Sequence, residues 1–242
     1  MGKPEVDKFG KESVFIMQLL IDDANIYEIK ALAAILPVDG VTTNPSILAK
    51  TGIEPFTVLH KIRDFLGDQA QLHVQAVAAT AEGIIEDAHR IQQELGKNTY
   101  IKIPVVAEGL KAIKALKKEG ANITATAIYT QMQAFLAGKA GADYAAPYVN
   151  RIDNLGADGI RTTKEIHDIF KKNGLHTAVL AASFKNAQQV QALCEYGIGA
   201  ATVAPVVLHG LLQNDSVSAA VKTFAADFTR LCGEGSTMAN CK

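Results

Sequence analysis

Lys102 stands in the run TYIKIPVVAEGL (99–110), between Ile101 and Ile103, in a short β-favouring stretch where a bulky apolar residue is the default. A lysine buried without a partner is unfavourable while charged, and the usual relief is a lowered pKa that leaves it neutral. From an ordinary value of about 10.4, a shift toward roughly 7–8 makes an amine a competent nucleophile at neutral pH. An amine of that kind attacks a carbonyl to form a Schiff base. Two plainer readings stay open on local sequence alone: a side chain that snorkels its head to solvent at the strand end, and an ion pair with Asp22 on another strand.

Other polar side chains recur at comparable depth in strand-like segments: Asp22, Asn44, Gln75, Thr126, Tyr148 with Arg151, and Ser183 with Lys185. With Lys102 they come from seven consecutive strands, which a shared pocket explains better than chance spacing. Taken singly, each has a structural reading. Asp22 or Asp23 could cap the first helix, Thr126 could be an ordinary β-branched strand residue, and Gln75 could satisfy a backbone group. Asn44 before Pro45 is a turn signal, Tyr148 could be core with its hydroxyl at the rim, and Arg151 and Lys185 could be solvated loop charges.

The elements that must position these residues alternate with regularity. β-like QLLIDD (18–23) precedes NIYEIKALAAIL (25–36), where Asn25 and Glu28 occupy N-cap and N3 positions. GVTTN (40–44) precedes the helical 55–67, and QLHVQAVA (71–78) precedes 80–96, whose Ile84, Ile85, Ala88, Ile91 and Leu95 form one apolar face. The pairing continues through 99–105 and 107–120, 123–129 and 130–141, 144–152 and 162–174, 177–184 and 186–197, and 199–205 and 206–213. Gly67, Gly96, Gly120, Gly174 and Gly197 stand where helices end. Eight strand and helix pairs in about 200 residues predict an α/β fold, a (β/α)8 TIM barrel, with chemistry at the C-terminal ends of its strands. The stretch 216–232 predicts an extra C-terminal helix that covers the barrel or docks on a neighbouring subunit. Residues 1–16 are polar and aperiodic until VFI and read as an N-terminal extension or added leader, so 17–242 is expected to be a single domain.

Composition narrows the function. The 242 residues are 48% hydrophobic and 20% charged, with a formal net charge of −1, so no electrostatic footprint for nucleic acid or an anionic membrane stands out. A small ligand is the better expectation. No apolar run approaches a membrane span. Cys194, Cys232 and Cys241 show no pairing framework, which fits a reducing, cytoplasmic setting. The six histidines lack metal-site spacing, and GIGAAT (197–202) is too short for a dinucleotide fingerprint. Neither metal nor cofactor is expected.

The stretches GVTTNPSI (40–47), KIPVVAEGLKAIKALKKEG (102–120), APYVNRI (146–152) and LAASFK (180–185) together resemble the transaldolase family, in particular its small fructose-6-phosphate aldolase-like branch. The similarity runs from about Met17 to about Phe228. It implies a class I, metal-independent aldolase barrel in which Lys102 forms a Schiff base with the ketone carbon of a sugar phosphate. The resemblance further implies that Asp22 holds substrate hydroxyls and assists proton transfer, and that Asn44 lies near the imine. Gln75, Thr126 and Tyr148 correspond to the trio that holds a catalytic water, with the tyrosine as general acid and base. Arg151, Ser183 and Lys185 correspond to a phosphate clamp.

True transaldolases usually carry glutamate at the position of Gln75 and phenylalanine at that of Tyr148, so both residues here follow the aldolase pattern. The expected reaction is reversible cleavage of fructose 6-phosphate, with transfer of the dihydroxyacetone unit to an aldose phosphate as the alternative. The chain departs from the pattern at Val106, where threonine is frequent and pocket polarity could change, and at Phe228, where tryptophan is common. The branch also implies a homo-oligomer, commonly a decameric ring.

Overall fold

A computed structural model describes residues 16–241. The expected leader, Ile16 apart, lies outside the described residues. Contacts divide the chain into two compact units, one running through Leu208 and one from His209 onward.

The first unit is a closed barrel of eight parallel strands in sequential order. Its elements are β1 (Gln18–Asp22), α1 (Ile26–Ala33), β2 (Gly40–Thr42), α2 (Pro45–Ala49), α3 (Pro55–Leu66), β3 (Gln71–Gln75), α4 (Ala81–Leu95), β4 (Tyr100–Pro104), α5 (Ala107–Lys118) and β5 (Ile123–Ile128). There follow α6 (Gln131–Lys139), β6 (Tyr144–Pro147), α7 (Val149–Asn154), α8 (Gly159–Lys172), β7 (Ala178–Ala181), α9 (Ala187–Tyr196), β8 (Ala200–Val203) and α10 (Pro205–Leu212), whose residues from His209 onward belong to the second unit.

Strand periodicity explains where each side chain goes. Ile21, Val41, Leu72, Val74, Ile101, Ile103, Ile123 and Val179 face outward into the core shared with the helices. The intervening positions face the barrel lumen, where Leu20, Tyr144, Leu180 and Ala200 cluster against Tyr100 and Ala178. Lys102 belongs to the lumen set, in register with Gln75 on one side and Thr124 on the other. The five glycines expected at helix ends all have positive φ, from 61° at Gly174 to 90° at Gly96.

The segment 144–152 differs from expectation. The strand ends at Pro147 and residues 149–154 turn into α7, after which Asp158 caps α8 by accepting from the Arg161 amide at 2.8 Å. The Asp158 side chain therefore starts that helix three residues ahead of the predicted 162. A second irregularity lies in β5, where Thr126 and Ala127 together oppose Ala146 and Ala127 has φ 57°. Such a bulge re-aims side chains where it occurs.

The second unit holds α11 (Asp215–Cys232), capped by Asn214, whose side chain accepts from the Ser216 and Val217 amides. Cys232, the last residue of α11, and Cys241, beyond the C-cap Gly233, form a disulfide with Cα atoms 6.0 Å apart. The sequence reading, which found no pairing framework, is corrected here. The turn through Gly233 and Gly235, both at positive φ, folds the chain back within nine residues and brings the two sulfurs together. No helix among the described residues is long and apolar enough to cross a membrane.

Candidate active site

An open cavity of about 1480 Å³ is lined by residues that include Asp22, Asn44, Lys102, Tyr148, Arg151 and Ser183. It lies at the C-terminal strand ends, where barrel enzymes carry their chemistry.

Lys102 is only 5% exposed. Its Nζ donates to the Thr43 carbonyl at 2.7 Å, and among the described residues it makes no ion pair within 4.0 Å with Asp22. Neither plainer reading survives, since the head is buried within the barrel and is not held by a carboxylate. Burial pushes the amine below its ordinary value, and the charge on Asp22 opposes that shift. An ammonium would present three donors to one carbonyl. A neutral amine bonded to Thr43 keeps its lone pair uncommitted, and that pair is what attacks a carbonyl carbon.

Asp22, at the end of β1, is raised by burial and lowered in turn by Lys102 and by the hydrogen bond from Thr42. Its neighbour Asp23 serves the chain turn, accepting from the Ala24 and Asn25 amides at 2.7 and 3.3 Å. Asn25 caps α1 as expected. Asn44 does two things, capping α2 through the Ile47 amide at 3.0 Å while lining the cavity.

On the far side of the lysine, Thr126 Oγ1 and the Tyr148 hydroxyl are 2.9 Å apart. Tyr148 stands just beyond β6 as the N-cap of α7, with the Arg151 guanidinium 4.6 Å over its ring. Gln75 is part-buried beside Lys102 in register but is not among the cavity-lining residues. Ser183 lines the cavity two residues past β7 with φ 61°, a left-handed conformation that is strained for serine. Lys185 is exposed and outside the lining, so two of the three expected clamp residues meet at the cavity. Val106 is also outside it. It is the N-cap of α5 and makes no side-chain cap bond.

Sequence reasoning passed over Thr42 and Thr202. Both are buried and bonded to each other at 2.6 Å, and Thr202 is the polar contribution of β8, the strand that had none. Threonine is so ordinary in strands that no sequence signal marked them. Among the described residues, no three His, Cys, Asp or Glu side chains gather as a metal-ligand group.

The site is thus a parallel barrel with a buried lysine, lowered in pKa, at its C-terminal mouth. The profile of the Transaldolase/Fructose-6-phosphate aldolase family matches residues 19–240, and the chain belongs to that family. It is 41% identical over 213 residues to the "Probable fructose-6-phosphate aldolase" of Streptococcus pneumoniae, covering 88% of this chain and 96% of that protein. The solved "Native KDPGal structure" aligns with a TM-score of 0.54 at 15% identity over 77% of this chain and 81% of that one, a likeness of fold.

Proposed function

We propose that the chain is a class I, Schiff-base aldolase that reversibly cleaves fructose 6-phosphate into dihydroxyacetone and glyceraldehyde 3-phosphate. The observation that carries this reading is the Lys102 amine, buried, depressed in pKa and bonded to a single carbonyl at the cavity.

In this reading, Lys102 Nζ attacks the C2 carbonyl, and loss of water from the carbinolamine gives a protonated imine. Removal of the proton from the C4 hydroxyl lets the C3–C4 bond break, its electron pair flowing into the imine to give an enamine. Glyceraldehyde 3-phosphate departs. Protonation at C3 and addition of water then release dihydroxyacetone and restore the amine. Asp22 and Asn44 are suited to hold the substrate hydroxyls, since both line the cavity together with the lysine. The Tyr148 hydroxyl, fixed by Thr126, supplies the general acid and base. Gln75 and these two hydroxyls hold the hydrolytic water. Arg151 and Ser183 bind the phosphate, with Lys185 adding positive charge from the rim.

Borohydride reduction in the presence of fructose 6-phosphate is expected to add a three-carbon unit to Lys102, and an unmodified lysine sinks the mechanism. Dihydroxyacetone release without any acceptor is the second expected result. Release that requires erythrose 4-phosphate makes the enzyme a transaldolase instead.

The same proposal includes a cytoplasmic homo-oligomer. Apolar Val217, Val221, Phe224 and Leu231 recur along α11 with helical spacing, which suits burial against another copy. Light scattering on a chain truncated before Ser216 should show a smaller assembly, and an unchanged association state counts against this role.

A further inference from the structure

Asp22, Thr42 and Thr202 form a hydrogen-bonded line drawn from three neighbouring strands. Thr42 Oγ1 donates to Asp22 Oδ1 at 2.7 Å and lies 2.6 Å from Thr202 Oγ1. β2 and β8 flank β1 on opposite sides, with Thr42 level with Asp22 and Thr202 level with Leu20, so the two threonines meet in front of β1 inside the lumen.

The direction of this line is fixed by counting protons. An ionised carboxylate only accepts, and a hydroxyl has one proton to give. Thr42 spends its proton on Asp22, so Thr202 must be the donor in the 2.6 Å contact. Thr42 is fully buried and Thr202 is 2% exposed, and neither is among the cavity-lining residues. They reach the cavity only through Asp22.

We propose that Thr202 is a positioning residue for Asp22, acting through Thr42 to hold the Asp22 carboxylate ionised with Oδ1 anchored and Oδ2 turned to the substrate. The titratable and charged groups that bear on Asp22 are Lys102 of β4, which acts on it only as the ammonium, its neighbour Asp23 and Arg151 of α7, while β2 and β8 contribute these two hydroxyls. Burial acts against the ionised form, Lys102 acts for it most strongly, and the Thr42 bond follows. Without Thr202, the Thr42 oxygen loses its donor, its hydroxyl is free to rotate away, and the carboxylate loses support. Serine keeps the donor; valine keeps the shape but not the proton.

The consequence for turnover rests on the aldolase reading, but the hydrogen-bonded line does not, so the test reads Asp22 directly. Carboxyl carbon-13 NMR, with the Asp22 resonance assigned by Asp22→Asn, is titrated in the wild type, Thr202→Val, Thr202→Ala and Thr202→Ser. The Asp22 midpoint should rise by about half a pH unit or more in the Val and Ala variants, the scale of one hydrogen bond, and return to the wild-type value in Ser. The acid limb of kcat/KM for fructose 6-phosphate cleavage should move by the same amount in the same variants. If either apolar variant fails to fold, as judged by thermal melting, the other carries the reading. An unshifted midpoint in the apolar variants, or a serine variant that shifts as they do, overturns the proposal. A shifted midpoint in a protein that never cleaves fructose 6-phosphate leaves the positioning standing and removes the aldolase reading.

Discussion

Thr126 Oγ1 and the Tyr148 hydroxyl lie 2.9 Å apart, joining the bulged strand β5 to the residue that caps α7. In the proposed mechanism, this bond fixes the phenol that serves as acid and base. Tyr148→Phe should lower the rate of fructose 6-phosphate cleavage about 10²- to 10⁴-fold, the usual range for losing a positioned proton-transfer group. Imine formation on Lys102 should persist, which single-turnover borohydride trapping reads separately from steady-state rates.

Lys102 lowers stability at neutral pH. Its folded pKa is depressed by burial, so the unfolded chain binds the proton more tightly, and stability falls as pH drops from the unfolded value toward the folded one. Lys102→Met keeps the length of the side chain and removes the proton-binding site. It should abolish Schiff-base chemistry while raising the melting temperature, by about 2–4 °C for each kcal/mol recovered. Calorimetry at pH 7 checks the sign, and a lower melting temperature contradicts it.

His73 gives the barrel an acid-side weakness. It is fully buried, stacked on Tyr100 at 4.5 Å, with Nδ1 bonded to Thr124 and Nε2 to Gln71. Burial holds it well below the ordinary histidine value, with Lys102 and Arg63 adding to the shift. The unfolded state therefore takes up a proton first as pH falls through about 6.5, and stability is lost from there downward. His73→Phe should flatten the pH dependence of urea unfolding between about pH 6.5 and 5, at some cost at pH 7 from the unpaired Gln71 and Thr124 groups.

Val106 is the N-cap of α5 in extended backbone, φ −126° and ψ 171°, without a side-chain cap bond. Val106→Thr supplies the missing acceptor for an orphan amide of the first turn. The expected gain is about 1 kcal/mol, read as a higher denaturant midpoint with unchanged kinetics, because the residue lies outside the cavity.

Much of this molecule was legible in its sequence, and the reasons differ from residue to residue. Alternating strand and helix signals gave the barrel because each helix carries a one-sided apolar face, as in Ile84, Ala88, Ile91 and Leu95. Lys102 announced itself because an ammonium among isoleucines is costly to bury, although snorkelling and an ion pair with Asp22 stayed open until its burial and its bond to Thr43 were seen. Thr42 and Thr202 stayed hidden because threonine is ordinary in strands. The α7 helix was missed because APYVNRI reads as a continuing strand until Pro147 ends it, and the place of Lys185 outside the cavity lining was hidden because sequence order cannot tell a rim charge from one that lines a cavity. The Cys232–Cys241 pair depended on a glycine turn whose φ values no spacing rule supplies.

The floor of the barrel bears on how such a catalyst could be altered. Below Lys102, Gln18, Gln71, His73, Thr124 and Tyr144 are tied by side-chain bonds that link β1, β3, β5 and β6. Any one of them exchanged for a hydrocarbon strands a neighbour's donor or acceptor. Most rim residues, by contrast, come singly from separate strand ends. New substrate preferences are therefore reachable by stepwise mutation from above, while the base of the lumen changes only in concert, as a set.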